Sequence, residues 1–228
     1  MIGVTKNLGL ISDLLHKSAI EADRDPADVQ LLAVSKKQPE EKIREAAACG
    51  QRDFGENFVQ EGVDKIQSLA DLGLTWHFIG HLQSNKTRVV AENFDWVHTI
   101  DKLKTARRLS EQRPAGFRPL NICLQVNVDD EESKSGVSPS AVPELAAACA
   151  DLPNLRFRGL MCLPAIRSEF AEQRKPFAAL KILLEKIRAA GIDADTLSMG
   201  MTADYQAAIT EGATIVRIGT ALFGARDT

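Results

Sequence analysis

An alternation running almost from end to end constrains this chain more than any other feature: short, β-rich apolar runs are separated by longer stretches with helical periodicity. Eight runs read as strands: "LLAVS" (31–35), "RDFGEN" (52–57), "TWHFIG" (75–80), "DWVHTI" (95–100), "LNICLQVNV" (120–128), "LRFRGLMCL" (155–163), "TLSMG" (196–200) and "TIVRIG" (214–219). Between them, the spacing predicts a helix from Pro39 to Gly50 and others over 58–72, 84–93, 101–112, 139–150, 172–190 and 202–211. A further helix over 5–22 precedes the first strand, with Leu8, Ile11, Leu15 and Ile20 at roughly helical spacing. In 172–190, Phe177, Leu180, Leu184 and Ile187 mark a core-facing stripe, and Ile43, Ala46 and Ala47 share a face of their helix.

Strand then helix, eight times over, is the pattern of a (β/α)8 barrel, whose right-handed crossovers require parallel strands. A doubly wound open sheet is the alternative, but no Gly-x-Gly-x-x-Gly follows the first strand. The polar "DDEESKSG" (129–136) is short enough to be one βα loop, so residues 1–228 read as a single barrel domain with an additional N-terminal helix.

Composition agrees: 228 residues, 44% hydrophobic and 26% charged, suit one large core. A net charge of -3 argues against sequence-independent nucleic-acid binding, which needs a basic surplus to displace counterions. The opening "MIGVTKNLGLISDLLHK" breaks its apolar residues with charge, so no signal peptide or membrane span is expected and the cytoplasm is the default. Cys49, Cys123, Cys149 and Cys162 form no C-x-x-C pair and read as reduced core thiols.

In a barrel of this kind, chemistry gathers where the carboxyl ends of the strands meet. Alternation through "LLAVSK" puts Leu32, Val34 and Lys36 on one face, while Lys37 has already left the strand. In a barrel mouth, partial burial would depress the amine's pKa, and a neutral amine attacks an aldehyde. A solvated strand-end lysine is the plain alternative.

The loops after the last two strands, "SMGMTADYQAA" (198–208) and "VRIGTALFGA" (216–225), hold Gly200 and Gly219 for close backbone approach. Thr202 is expected as an N-cap and Thr220 as a hydroxyl at the start of a short helical turn, features of a phosphate cup. Arg217 lies in an apolar run and needs either a salt bridge across the barrel or a ligand. Asn57, His77, Gln83, Asn85 and Lys86 are polar groups that suit the mouth, with capping of the following helix an equal reading for Gln83 to Lys86. His77 and His81 mimic a metal pair by spacing, but their segment reads as strand then turn, with no third ligand evident.

An aldehyde-reactive lysine, a phosphate cup and an internal arginine together suggest pyridoxal phosphate. Over nearly its whole length the chain also resembles the pyridoxal phosphate homeostasis protein family. The resemblance is carried by "LLAVSKKQP", "GQRDFGENFVQEGVDKI", "WHFIGHLQSNK", "SKSG", "RGLMCLPA", "SMGMTADY" and "VRIGTALFGARD". It implies a single barrel similar to the alanine racemase N-terminal domain, with pyridoxal 5'-phosphate held as an aldimine on Lys36. It implies phosphate contacts at Ser198, Gly200, Met201, Thr202, Gly219 and Thr220, Arg217 at the pyridine nitrogen, and Asn57 as a lining residue. Lys134, in "SKSG", matches a family lysine that would hold cofactor transiently, though a plain loop lysine is the simpler reading.

The implied role is a monomeric cytoplasmic protein that buffers the cofactor or delivers it to apo-enzymes. The alternative is a small racemase, or a lyase or aldolase working through a Schiff base. A permanent cation cannot protonate the ring nitrogen, and an unprotonated ring is a poorer electron sink for carbanions. Barrel racemases also draw a catalytic tyrosine from an additional C-terminal domain, and the lone Tyr205 reads as a surface or rim side chain. No catalytic residue and no metal ligand are therefore assigned.

Overall fold

The computed structural model describes residues 3–129 and 135–225. Helix α1 (Val4–Glu21) precedes eight strand-and-helix units. These are β1 (Gln30–Val34) with α2 (Glu40–Ala48), β2 (Asp53–Glu56) with α3 (Val59–Ser68), and β3 (Thr75–Phe78) with α4 (Thr87–Asn93). They continue as β4 (Trp96–Ile100) with α5 (Leu103–Gln112), β5 (Leu120–Val126) with α6 (Val142–Ala150), and β6 (Leu155–Cys162) with α7 (Phe170–Ala189). The last are β7 (Thr196–Ser198) with α8 (Tyr205–Thr210) and β8 (Ile215–Ile218) with the short α9 (Thr220–Phe223). Each strand pairs in parallel with the next, and β8 pairs with β1 to close the barrel. All eight expected strands are present, and the closed ring rules out the open sheet.

Side-chain alternation sorts the strands' residues into two layers. Inside, Leu32, Trp96, Cys123, Met161 and Ile215 form a small apolar cluster with Ile79 packed against it. At its floor, Arg158 lies over the Trp96 ring at 4.6 Å and forks onto Asp195. The larger core lies between strands and helices, where the α7 stripe of Phe177, Leu180, Leu184 and Ile187 is fully buried as expected. On α1, Leu8, Ile11 and Leu15 are buried, but Ile20 is exposed: Ser18 and Ala19 take the inward positions of the last turn. Arg24 fastens that end of α1 by donating to the carbonyls of Ile209 and Ala213, where α8 ends.

Two further expectations change. The helix after β7 begins at Tyr205 rather than at 202, and its N-cap is Asp204, not Thr202. Cys49 is exposed, with its thiol against Thr5 Oγ1, because it follows the last turn of α2, whose inward positions are Ile43, Ala46 and Ala47. The other three cysteines are buried. Lys134 lies outside the described residues.

Candidate functional site

The register that closes the barrel pairs Leu32 with Arg217 and so brings the first and last strand ends together. There, at the carboxyl ends of the strands, is a cavity of about 240 Å³. Its walls are Val34, Lys36, Asn57, Ile79, Met161, Leu163, Met201, Thr202, Arg217, Gly219 and Thr220. Seven of the nine expected site residues thus meet around one space. Ser198 and Gly200 do not: both are buried, behind the wall and not on it. A larger cavity of about 490 Å³ opens at the other end of the barrel, between α1 and the start of β1, but among the described residues no lysine, arginine or carboxylate lines it.

Lys36 stands half-buried on a turn whose backbone is pinned on both sides. Before it, the Ser35 carbonyl accepts from Lys65 Nζ at 2.7 Å. After it, the Lys37 N–H donates to Glu61 Oε1 at 2.5 Å, with Lys37 at a φ of 56° and its ammonium over the Phe58 ring. Lys65 also donates to Glu56 Oε1 at 2.8 Å and Glu61 Oε1 at 2.6 Å, and the Ser35 hydroxyl donates to Glu56 Oε1 at 2.7 Å. Burial pushes the Glu56 carboxyl above its ordinary range, against the opposing pull of Lys65 and Ser35. The sequence marks Glu56 and Lys65 only as charged residues inside the apolar faces of β2 and α3, and both are buried.

The two glycine loops form the opposite wall. Gly200 sits at a φ of 92°, and a Cβ there would lie 2.6 Å from that of Ala208. Its carbonyl accepts from the Arg217 N–H at 3.0 Å. A Cβ on Gly219 would crowd the Val34 carbonyl at 3.1 Å, so this loop also lies close against β1. Asp204 Oδ1 accepts the Met201 N–H at 2.6 Å, which closes that turn and leaves the Thr202 side chain at the cavity wall.

Arg217 is buried and reaches no carboxylate within ion-pair distance among the described residues, so of its two alternatives the cross-barrel salt bridge is not formed. Nη1 donates to Ser198 O at 2.6 Å and Ser198 Oγ at 2.9 Å, and Nη2 to Cys162 O at 2.8 Å. Burial lowers its pKa, but a guanidinium keeps its proton. Asn57 Oδ1, also buried, has no hydrogen-bond partner among the described residues. An uncompensated cation and an orphaned amide oxygen beside one cavity are both costly without a ligand. Chemically, the donor set suits a small aromatic anion with a carbonyl: an amine for the carbonyl, hydroxyls and tight backbone for a phosphate, and a guanidinium for a ring nitrogen.

His77 is not at the mouth. It is fully buried inside the barrel, stacked on Trp96 at 5.2 Å, and joins His98 through Nδ1 at 2.9 Å and Asp53 through Nε2 at 3.0 Å. His98 in turn meets Ser198 Oγ through Nδ1 at 2.8 Å. Burial, with His77 and Arg217 close by, holds His98 well below the usual imidazole range. His81 is exposed, so the two histidines of the spacing motif part company.

Comparison with known proteins follows the same lines. Residues 18–227 match the family model "Alanine racemase, N-terminal domain". Over its whole length the chain is 57% identical to the pyridoxal phosphate homeostasis protein of Pseudomonas aeruginosa, covering 97% of that protein. It is 51% identical to the protein of the same name from Escherichia coli K12, of which it covers 98%. Among solved structures, PipY of Synechococcus elongatus PCC7942 with PLP bound matches at a TM-score of 0.82 and 36% identity, over 97% of this chain and all of PipY. Alanine racemase from Corynebacterium glutamicum shares the fold at a TM-score of 0.71 and 17% identity, over 99% of this chain and 61% of the racemase. The chain belongs to the pyridoxal phosphate homeostasis protein family and has the fold of the alanine racemase N-terminal domain.

Proposed function

We propose that this protein binds pyridoxal 5'-phosphate in the Lys36 cavity and takes part in intracellular homeostasis of that cofactor, buffering it or delivering it to apo-enzymes. The carrying observation is the meeting of Lys36, Thr202, Gly219, Thr220 and Arg217 around one cavity of about 240 Å³. The group's contribution is an aldehyde that an amine captures reversibly. Lys36 supplies the amine, on a backbone held by Lys65 and Glu61. Thr202, Thr220 and the backbone at Gly219 receive the phosphate, with Gly200 and Met201 shaping the loop and Asn57 lining the ring. Arg217 would face the ring nitrogen as a donor that cannot protonate it, which favours retention over turnover. Ser198, whose hydroxyl meets Arg217 and His98, carries Arg217 from below.

On this reading the protein works in the cytoplasm as a monomer. Among the described residues, no helix is long and apolar enough to cross a membrane. Borohydride reduction of the loaded protein followed by peptide mapping tests the proposal. A label on Lys36, lost in Lys36→Ala, is expected; a label elsewhere, or none, overturns it.

A further inference from the structure

Five side chains form an unbroken hydrogen-bonded line down the barrel interior. Arg217 Nη1 meets Ser198 Oγ at 2.9 Å, Ser198 Oγ meets His98 Nδ1 at 2.8 Å, His98 Nε2 meets His77 Nδ1 at 2.9 Å, and His77 Nε2 meets Asp53 Oδ1 at 3.0 Å. Ser198, His77 and His98 are fully buried, so each of their hydrogens needs a partner inside the protein.

The two ends decide the direction. A guanidinium only donates, and a carboxylate only accepts. Between them stand one hydroxyl and two imidazoles, each with one donor and one acceptor when neutral. One assignment satisfies every hydrogen. Arg217 donates to Ser198, Ser198 to His98 Nδ1, His98 Nε2–H to His77, and His77 Nε2–H to Asp53. A protonated His77 would reverse the middle links and leave the Ser198 hydrogen without an acceptor in this line. It would also put a second cation beneath Arg217. The lowered pKa of His98 agrees with the neutral state.

We propose that Asp53, His77 and His98 are positioning residues for Arg217, acting through this one-way chain to keep Ser198 Oγ an acceptor under the guanidinium. The effect on bound cofactor rests on the pyridoxal phosphate reading above; the direction of the chain does not. Asp53 lies at the start of β2, at the far end of the barrel from the cavity, so the floor of the barrel is tied to the mouth.

Asp53→Asn is the informative change, because a carboxylate closes the reversed direction altogether, whereas an amide can also donate and so opens it at the cost of the Ser198 hydrogen alone. Nitrogen-15 NMR of the wild type near neutral pH should show His77 and His98 both neutral with the proton on Nε2. In Asp53→Asn the single tautomer should be lost at both rings and the Arg217 side-chain nitrogen signals should move, with or without cofactor. Loaded Asp53→Asn should keep its label on Lys36 yet show a shifted cofactor absorption band and release the cofactor about fivefold faster, the size of one neutral hydrogen bond. Ser198→Ala, which removes the last link, should give the same band shift.

A wild-type His98 that is protonated on Nδ1 or doubly protonated overturns the proposal. So does Asp53→Asn with unchanged imidazole and Arg217 signals, or with moved signals and an unchanged band. A wild type that takes no label on Lys36 defeats the cofactor reading instead, and the imidazole and Arg217 signals of the unloaded protein then decide the chain by themselves.

Discussion

Lys65 Nζ donates to the carbonyl oxygen of Ser35 at 2.7 Å, so a lysine on α3 fixes the backbone immediately before Lys36. The same ammonium is the only cation bonded to the buried Glu56 carboxylate among the described residues. Lys65→Met therefore removes three hydrogen bonds and strands Glu56. Unfolding free energy should fall by about 3–5 kcal/mol in urea denaturation, and borohydride-trapped label on Lys36 should drop at a fixed cofactor concentration. Unchanged stability would mean that the cluster is not held as described.

The Glu56 carboxyl gives a pH test whose sign is opposite to the usual one for carboxylates. Its native pKa is raised above the ordinary 4.5 by burial. The folded state thus binds this proton more readily than the unfolded state does. The stability it contributes is fully present in acid and is lost as pH rises from about 4.5 through the raised native value. Wild type measured against Glu56→Gln should lose relative stability as pH rises over that window. A relative gain would show that Lys65 outweighs burial.

The glycine and hydroxyl of the β7 loop should separate folding from binding. Gly200→Ala places a Cβ 2.6 Å from that of Ala208 at a φ of 92°. It should cost about 1–3 kcal/mol of stability. Thr202→Ala removes an exposed hydroxyl, so stability should change by less than about 0.5 kcal/mol while cofactor affinity falls about tenfold, as for a hydrogen bond to a charged group. Equal affinity in Thr202→Ala, measured by spectroscopic titration, would remove it from the proposed phosphate site.

Thiol chemistry should single out one cysteine. Burial pushes the Cys149 and Cys162 thiols up to about 12 and that of Cys123 higher still, whereas Cys49 is exposed. A thiol-reactive dye near neutral pH should label native protein once, at Cys49, and all four cysteines only after denaturation. More than one rapid label in the native state would contradict the burial.

Arg217→Glu probes the proposed contact with the cofactor ring. The new carboxyl would face the carbonyls of Ser198 and Cys162, so a stability loss of about 3 kcal/mol is expected. Protein that still folds should react faster with added amino acids, seen as a change in cofactor absorbance, because a carboxyl can share a proton with the ring nitrogen. Wild-type reactivity in the folded variant would count against Arg217 at that atom.

The strands and most helices were legible because each is written in local periodicity. The Lys36 face was legible for the same reason, since Leu32, Val34 and Lys36 alternate with Leu31, Ala33 and Ser35. Ends and caps were less so. Thr202 and Asp204 are both ordinary N-cap residues, and only the turn geometry around Met201 chose between them. Cys49 looked apolar by its neighbours, yet it sits past the inward positions of α2.

His77 and Ser198 show the deeper limit. Their strands identified them as polar residues near the site, but not their partners, which come from β2, β4 and β8. The chain by itself determined the number and order of the elements and which strand end carries the amine, because helices and strands are set by contacts between near neighbours. Only the tertiary structure decided that Leu32 lies beside Arg217, that Arg217 rests on Ser198 instead of a carboxylate, and that two histidines join it to Asp53. Those relationships depend on how far each strand is staggered when the barrel closes, and stagger is fixed by packing around the whole ring.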